Sequence, residues 1–418
     1  METYGRILLY AMPTFFAMVL LERMYSKSRG EEKVPVMDMI ASMSSGLTNV
    51  TKDVLGLTIK IVTYQWLVEH IALTSTKTTW FTYVIVLLVF DFKGYWQHRI
   101  AHTVNIFWNK HAIHHSSEEF NLACALRQSI SSIVNVFVFL LIPAALLGID
   151  PKVIATVAPL HLFAQFWYHT QYIKKMGFLE HIIVTPSHHR VHHAVNAVYM
   201  DKNFSEIFIF WDKMFGTFQP ELESEPPVYG ISRQAMTWNP IKINFQHMIL
   251  LIKDALRAES WKDKFRIWFM PTGWRPADVE ARFPVAKIED AATMVKYQTQ
   301  NSEVMQRWIY FQFIFTVLLI FYFFANLSNI GMPNVFAYGA FIFLTVYSYT
   351  ELMDMNPNAL HWELLKICYG LACIFYLNSW FGIDNLIPNA TYIVLAYFAL
   401  SLAMTVYFVK KEMIKVLA

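Results

Sequence analysis

The sequence predicts an all-α fold: a multi-pass transmembrane helical bundle of about nine spans, with a cytosolic helical cap that holds a histidine-rich site for two metal ions. Three observations support this fold class. Only 16% of the 418 residues are charged, 56% are hydrophobic, and the mean hydropathy is +0.34. Several uncharged runs are long enough to cross a bilayer. Twelve of the 15 histidines fall between His98 and His193, less than a quarter of the chain.

The predicted spans are apolar runs of roughly 17 to 25 residues, the length that a helix needs to cross the hydrocarbon core. Four runs contain no Asp, Glu, Lys or Arg: residues 130–149, 153–172, 308–327 and 390–409. Five other stretches are short or carry a charge, and each is either a span or a core or interfacial helix. These are residues 7–21, 54–73, 80–92, 335–350 and 364–381. A turn at residues 148–151 is expected to join the fourth and fifth spans.

The charges of the connecting segments predict the orientation of the bundle. If all nine runs cross the membrane, the connections alternate between two faces. Twelve lysines and arginines, including Lys415 in the tail, then lie on one face and three on the other. The positive-inside rule places the richer face in the cytoplasm. Both histidine-rich stretches fall on this face, and residues 174–307 are expected to form a polar cap there.

The composition also excludes several classes of protein. A hydrophobic chain with a net charge of only +3 is neither disordered nor a nucleic-acid-binding protein of the basic-patch type. Cys124, Cys368 and Cys373 form no CxxC pair. The sequence therefore predicts neither a disulfide framework nor a thiolate zinc site.

Three histidine boxes contain the candidate metal ligands. Residues at i, i+3 and i+4 share one face of a helix, so each box directs its imidazoles to one side. One HxxxH pair alone is often structural, but three boxes on one membrane face favour metal binding. Eight imidazoles are too many for one ion, whereas two ions would use them and keep open positions. The boxes hold His98 and His102; His111, His114 and His115; and His189, His192 and His193.

Two further histidines lie in the predicted fifth span. His169 is a candidate ligand because membrane-buried ionisable groups usually have a function, whereas His161 is as consistent with helix packing. Box spacing leaves the metal open between iron and zinc. Zinc would suit hydrolysis with Glu118 or Glu119 as the base, whereas a nitrogen-rich site beside the bilayer better suits dioxygen activation at paired iron.

Four polar residues near the boxes have two interpretations each. Glu118 either accepts N–H bonds from ligand imidazoles, which is the favoured role, or is a solvated charge. Asp91 either orients His98 or caps a helix. Arg127 and Gln128, just before the fourth predicted span, either bind a lipid headgroup or anchor a helix at the membrane interface.

The boxes resemble those of the fatty acid hydroxylase superfamily, which includes sterol desaturases and fatty acid 2-hydroxylases. The segments around the boxes are most similar to the alkylglycerol monooxygenase group of that superfamily, and the similarity extends from the first span to about Pro276. The similar segments are residues 107–111, 114–121, 125–129, 165–170, 185–193, 201–203 and 211–218.

This resemblance implies a mixed-function oxygenase in which two irons, bound by the box histidines and His169, activate dioxygen and hydroxylate a lipid carbon. His188 is a candidate tenth ligand. In this group the carbon lies next to an ether oxygen, and tetrahydrobiopterin supplies the electrons. Thr103 stands where the pattern of the animal enzymes has a glutamate. This difference concerns the use of the pterin and of the ether substrate, and it leaves the metal ligands unchanged.

The leading interpretation is therefore a membrane di-iron monooxygenase with lipid, dioxygen and an electron donor as partners. Residues 93–307 form its catalytic region between transmembrane helices at 1–92 and 308–418. It would lie in the endoplasmic reticulum membrane if eukaryotic and in the inner membrane if bacterial. The alternatives are a sterol or fatty acyl hydroxylase or desaturase, a zinc-dependent lipid hydrolase, and a metal transporter. A transporter needs ligands inside several spans, whereas the ten candidates lie outside spans or at their ends.

Overall fold

A computed structural model describes residues 2–413, and helices account for most of them. Lys415, one of the predicted cytoplasmic charges, lies outside the described residues. The first thirteen helices are α1 (Glu2–Ser28), α2 (Val36–Val54), α3 (Tyr64–Ile71), α4 (Trp80–Thr103), α5 (Asn105–Trp108), α6 (Ala112–His115), α7 (Ile142–Leu146), α8 (Pro151–Phe163), α9 (Pro186–His192), α10 (Phe210–Phe215), α11 (Pro240–Arg257), α12 (Trp261–Arg266) and α13 (Ala277–Arg282). The last five are α14 (Glu303–Ala325), α15 (Leu327–Ile330), α16 (Asn334–Met353), α17 (Ala359–Leu377) and α18 (Ala390–Phe408).

The two regular strands pair in parallel and are two residues long: β1 (Ile59–Lys60) and β2 (Val134–Asn135). Short 3-10 turns connect several helices, and α18 continues into a π-helical turn at Val409–Met413. The 3-10 turns are Cys124–Leu126, Phe137–Leu141, Gly177–His181, Ala291–Thr293 and Ile383–Asn385.

Five helices in the described part of the chain are long and apolar enough to cross a membrane. They are α1, α14, α16, α17 and α18 with its π-helical turn. Each coincides with a predicted span, and the protein is accordingly an all-α membrane protein. The predicted run at residues 80–92 is the first half of α4, which continues to Thr103.

The prediction of nine spans is wrong for three apolar runs that do not form one continuous helix. Residues 130–149 form β2, a 3-10 turn and the five-residue α7. Residues 153–172 contribute only to the 13-residue α8, and residues 54–73 contain β1 and the eight-residue α3. Hydropathy measures how apolar a run is but not where its backbone turns. The expected turn at 148–151 is confirmed, because Asp150 accepts a hydrogen bond from the Lys152 amide and Pro151 starts α8.

This turn requires glycine at position 148. Gly148 has φ +61°, and a Cβ there would overlap the carbonyl oxygen of Thr74. We therefore expect Gly148→Ala to lower the free energy of unfolding by more than the roughly 1–2 kcal/mol of left-handed strain alone. Gly30→Ala is the matched control, because Gly30 has φ +69° and no atom within 4 Å of a Cβ. Equal losses of thermal stability in detergent for the two variants would contradict the predicted overlap.

Two apolar cores organise the helices. The larger core packs α1 and α2 against the four C-terminal spans. The smaller one joins α4, α7 and α8 through residues such as Val86, Leu141 and Val157, and α3 packs beside it. We call residues 64–90 with 137–163 the apolar hairpin. Its outer surface exposes large apolar side chains, including Trp80 and Leu160, as expected of a surface in contact with lipid.

Candidate metal centre

Helix α4 carries the first histidine box into the interior of the protein. It begins after Thr79, whose side chain caps it, and runs without a break to Thr103. His98 and His102 consequently lie one turn apart on the same face, and both are more than nine-tenths buried. The second and third boxes lie at the short helices α6 and α9.

Nine of the ten candidate histidines come together in two adjacent groups. Within each group, one ring nitrogen of every member lies within 4.8 Å of those of the other members. The first group consists of His98, His102, His111, His115 and His192. The second consists of His114, His169, His189 and His193.

The ring nitrogens are close enough to share a cation. In the first group the Nε2 atoms of His102 and His111 each lie 3.1 Å from Nε2 of His115. In the second group Nε2 of His189 is 2.9 Å from Nε2 of His169 and 3.0 Å from that of His193. Lone pairs that face each other at such distances repel unless a proton or a metal ion lies between them. The donor set therefore fits one metal ion in each group.

The second and third boxes, which share the spacing HxxHH, each contribute to both groups. His111 and His115, four residues apart, belong to the first group, and His114 between them belongs to the second. In the third box His189 and His193 belong to the second group, and His192 belongs to the first. The two groups are thus held at a fixed spacing by adjacent residues of the same backbone segments.

Backbone carbonyls fix the orientation of four imidazoles. Nδ1 of His169 donates to the Gln165 carbonyl at 2.9 Å, and Nδ1 of His114 donates to that of Arg127 at 3.3 Å. The same pattern applies to His98 and His192 in the first group. A ring whose Nδ1 carries the proton presents the Nε2 lone pair, which is the form that a metal ligand requires. In the described part of the chain, Nε2 of His98 and of His192 is buried without a hydrogen-bond partner.

The segment 201–204, which follows the third box, orients three imidazoles of the first group. The carbonyls of Lys202 and Phe204 accept the Nδ1 protons of His192 and His98, at 2.9 and 2.8 Å. The Asp201 carboxylate lies 3.5 Å from Nδ1 of His102. Sequence reasoning missed this role, although Asp201-Lys202-Asn203 was one of the segments that carried the family resemblance.

Burial determines the charge state of the imidazoles. It lowers the pKa of His111, His189 and His193 well below the usual range of histidine, and neighbouring imidazoles lower it further. It lowers the pKa of His114 to about 4. These rings are consequently neutral at pH 7 and can use their lone pairs as ligands.

Asp91, which was expected either to orient His98 or to cap a helix, lies inside α4 and bonds other partners. Its fully buried carboxylate accepts hydrogen bonds from the amides of Ile207 and Phe208 and from the side chains of His161 and Trp211, all at 2.8–3.0 Å. These contacts hold the backbone that follows segment 201–204. Asp91 therefore acts on the metal centre indirectly, by fixing the segment that orients His98.

Glu118 also differs from its predicted role. It accepts hydrogen bonds from the Gln234 side chain and the Tyr297 amide, and among the described residues it forms no hydrogen bond with a histidine of either group. It lines a cavity of about 360 Å³ together with Glu119, Arg127 and Trp238. Arg127, which lines this cavity, also accepts the hydrogen bond of His114 through its carbonyl.

Arg127 and Gln128 are positioned for structure rather than for contact with a lipid headgroup. Arg127 is only 3% exposed, and its guanidinium donates to Asp38, Ser42 and Ser116 at 2.6–2.8 Å. The Gln128 side chain donates a hydrogen bond to the Ala125 carbonyl, and its backbone amide donates to the Ser45 hydroxyl. Arg127 thereby ties the segment after the second box to α2. No sequence pattern pointed to Asp38 as the partner of Arg127, because 89 residues separate the two.

His188 lies outside both groups, so the candidate tenth ligand is not brought to the site. Its Nδ1 accepts a hydrogen bond from the Thr185 amide, at the start of α9. Its Nε2 lies 4.0 Å from the Glu180 carboxylate. His188 thus starts the helix that carries the third box, and this role directs its ring away from the other imidazoles.

The family model "Fatty acid hydroxylase" matches residues 83–217, and all nine grouped histidines lie in that range. This match and the long apolar helices together define an integral membrane protein of the fatty acid hydroxylase class. No solved structure matches the chain.

The chain belongs to the alkylglycerol monooxygenase family. It is 34% identical to alkylglycerol monooxygenase of Homo sapiens over 388 residues, which are 91% of this chain and 84% of the relative. It is 31% identical to that of Danio rerio over 396 residues, or 94% and 86% of the two chains. A shorter match is to the ornithine lipid hydroxylase OlsE of Rhizobium tropici. The two chains are 29% identical over 138 residues, which are 33% of this chain and 42% of the relative. The protein is accordingly a membrane lipid monooxygenase.

Proposed function

We propose that this monooxygenase cleaves the O-alkyl bond of alkylglycerol ether lipids at a centre of two irons held by the nine grouped histidines. The observation that carries the proposal is the pair of adjacent imidazole groups, in each of which one ring nitrogen of every histidine lies within 4.8 Å of the others. The ether substrate comes from the named activity of relatives that match most of the chain. Iron rather than zinc is favoured because the relatives are named monooxygenases, and zinc has no redox chemistry with which to activate dioxygen.

The proposed reaction is a mixed-function oxidation. The bound irons would supply dioxygen activation. One oxygen atom of O₂ is inserted into the C–H bond next to the ether oxygen, and the other leaves as water with two electrons from the donor and two protons. The resulting hemiacetal separates into a fatty aldehyde and a glycerol with a free hydroxyl.

The chain's own residues hold the site in a form suited to this chemistry. Seven of the nine imidazoles are buried and two are half-buried, and carbonyl acceptors keep the proton on Nδ1 of His98, His114, His169 and His192. Asp91 and Asp212 fix the backbone around segment 201–204, since Asp212 accepts hydrogen bonds from the Phe204 and Ser205 amides. Preorganised ligands of this kind need no rearrangement on metal binding.

We propose a reduced pterin, tetrahydrobiopterin, as the electron donor. The cavity lined in part by Arg127 supports this choice, because its volume of about 360 Å³ lies in the range of small-ligand sites. The carboxylates of Glu118 and Glu119 would accept the N–H donors of the pterin, and the ring of Trp238 would pack against its flat face. Thr103 takes no part in this cavity: its hydroxyl donates to the Arg99 carbonyl.

The proposed orientation places the centre on the cytoplasmic face. With α1 and α14 as consecutive spans, residues 29–302 and the end of α18 lie on one side of the bilayer, the same side that the charge comparison favoured. Residues 93–307 are proposed as the catalytic region between the transmembrane parts 1–92 and 308–418. The membrane is that of the endoplasmic reticulum or the bacterial inner membrane, according to the organism.

The test of the proposed function combines metal analysis with turnover. Purified protein is expected to contain about two irons per chain. It should convert 1-O-alkylglycerol to fatty aldehyde only with oxygen and reduced pterin. Two zinc ions with oxygen-independent turnover would instead indicate a hydrolase. Hydroxylation of a sterol or acyl lipid with ether lipids left intact would contradict the alkylglycerol assignment.

A further inference from the structure

A cluster of charged and amide side chains lies between the imidazole groups and the apolar hairpin. We call Lys93, Gln97, Lys110, Gln165 and Glu206 the polar cluster. Lys93 Nζ donates to Gln97 Oε1 at 3.0 Å, and Gln165 Nε2 donates to Glu206 Oε2 at 3.3 Å. None of these residues belongs to either imidazole group.

The polar cluster adjoins the centre through three different backbone segments. Gln97 directly precedes His98 on α4, and Lys110 directly precedes His111. Gln165 lies one turn before His169 and accepts its Nδ1 proton through the backbone carbonyl. The cluster therefore borders the proposed ligands rather than a distant surface.

Aromatic rings of the apolar hairpin form the opposite side of the cluster. Lys93 Nζ lies 5.1 Å from the centre of the Phe90 ring, and Lys110 Nζ lies 3.9 Å from that of Phe137. In the described part of the chain neither ammonium forms an ion pair with a carboxylate within 4 Å. Two lysine amino groups among apolar side chains thus have unused donor capacity next to the centre.

Glu206 supplies the acceptor that faces these donors. Its carboxylate is placed against the backbone of α4 at Gly94, where an added Cβ would overlap it. It lies 3.5 Å from Nδ1 of His161, which in turn bonds Asp91. Burial raises the pKa of Glu206, and the charges of His161 and Lys93 oppose that rise. The cluster consequently offers both hydrogen-bond donors and an acceptor.

We propose that the polar cluster binds the vicinal hydroxyls of the glycerol head of the substrate. The inference rests on the proposed function, in which the oxidised carbon is bonded directly to the ether oxygen. The glycerol then lies only a few bonds from the reacting atom and needs polar partners beside the imidazoles. A hydroxyl both donates and accepts, so it can accept from Lys93 or Lys110 and donate to Glu206. The alkyl chain extends along the apolar hairpin.

The test compares two ethers that differ only in the hydroxyls: a 1-O-alkylglycerol and an n-alkyl n-propyl ether with the same alkyl chain. Lys93→Met and Glu206→Gln each remove one partner, and Gly94→Ala displaces the Glu206 carboxylate without removing its charge. We expect each variant to raise KM for the alkylglycerol about tenfold or more, because each loses a hydrogen bond to a charged group. KM for the propyl ether should change by less than about twofold. Exposed Lys262→Met is the matched control and should change neither value.

A binding measurement separates this inference from the proposed function. Without oxygen, retention of radiolabelled alkylglycerol by the iron-loaded protein should fall by the same factor in the three variants, with iron content unchanged. If the parent protein releases aldehyde from neither ether, the proposed function is overturned. The binding measurement would still decide the role of the polar cluster. Equal KM changes for the two ethers, or unchanged binding, would overturn the inference. A phosphate-bearing alkyl lysolipid is also tested as the ligand: if it binds more tightly than the alkylglycerol, and Lys93→Met abolishes that tighter binding, the polar cluster binds a phosphate and not the diol.

Discussion

His189→Ala is expected to abolish monooxygenase activity and to lower the iron content from about two per chain to about one. His189 has the most central position in the second group, with Nε2 at 2.9 Å from His169 and 3.0 Å from His193. Loss of an outer partner of a ligand typically lowers metal affinity by roughly 10–100-fold, and loss of the ligand itself should cost more. The first group has all five of its own imidazoles and should retain its ion.

The preceding residue is the control for this prediction. His188 is also a histidine of the same helix and is equally buried, but it bonds the Thr185 amide instead of joining a group. His188→Asn keeps an acceptor at the start of α9 and should retain both irons. Inductively coupled plasma mass spectrometry of the purified variants measures the outcome. Two irons in His189→Ala, or a loss in His188→Asn equal to that in His189→Ala, would contradict the assignment.

Helical periodicity predicted the composition of the candidate site because it acts over a few residues. Histidines at i and i+4 share a face, and the pairs 98/102, 111/115 and 189/193 each stay in one group. The division of neighbours such as His114 and His115 between groups depends on how three segments meet. No local pattern contains that information. His188 shows the same limit, since its place beside a box did not determine the direction of its ring.

The roles of the carboxylates could not be predicted for a related reason. A contact with an imidazole was the favoured interpretation for Glu118 and one of two for Asp91, because both are near boxes in the sequence. In the fold, Asp91 bonds residues 207, 208 and 211, and Glu118 bonds residues 234 and 297. These partners lie more than one hundred residues away along the chain.

The predicted number of spans is wrong where an apolar run does not fold as one long helix. The five long helices were predicted, because a continuous apolar helix has the same length in sequence and in structure. In the apolar hairpin, the residues are apolar because they face lipid or the small core, but turns such as the one at Gly148 divide them into short helices. Hydropathy alone does not register such turns.

Asp38→Ala is expected to lower the free energy of unfolding by about 3–5 kcal/mol, because it leaves the Arg127 guanidinium buried without its carboxylate. Both side chains are 3% exposed, and Nη2 of Arg127 lies 2.6 Å from Asp38 Oδ1. The carbonyl of Arg127 orients His114, so the variant should also bind less iron in the second group. Thermal unfolding in detergent and metal analysis measure the two effects.

The double variant Asp38→Leu with Arg127→Met distinguishes an unpaired charge from a general loss of packing. It removes both charges while keeping side chains of similar length. Replacement of a buried ion pair by apolar residues is often neutral, so most of the lost stability should return. Stability as low as that of Asp38→Ala would show instead that the hydrogen bonds of Arg127 to Ser42 and Ser116 are the larger contribution. If the double variant recovers stability but does not recover iron, the contacts of the Arg127 guanidinium are needed to position the Arg127 carbonyl that His114 bonds. The substitution leaves the carbonyl group itself in the chain, so only the loss of those contacts would change its position.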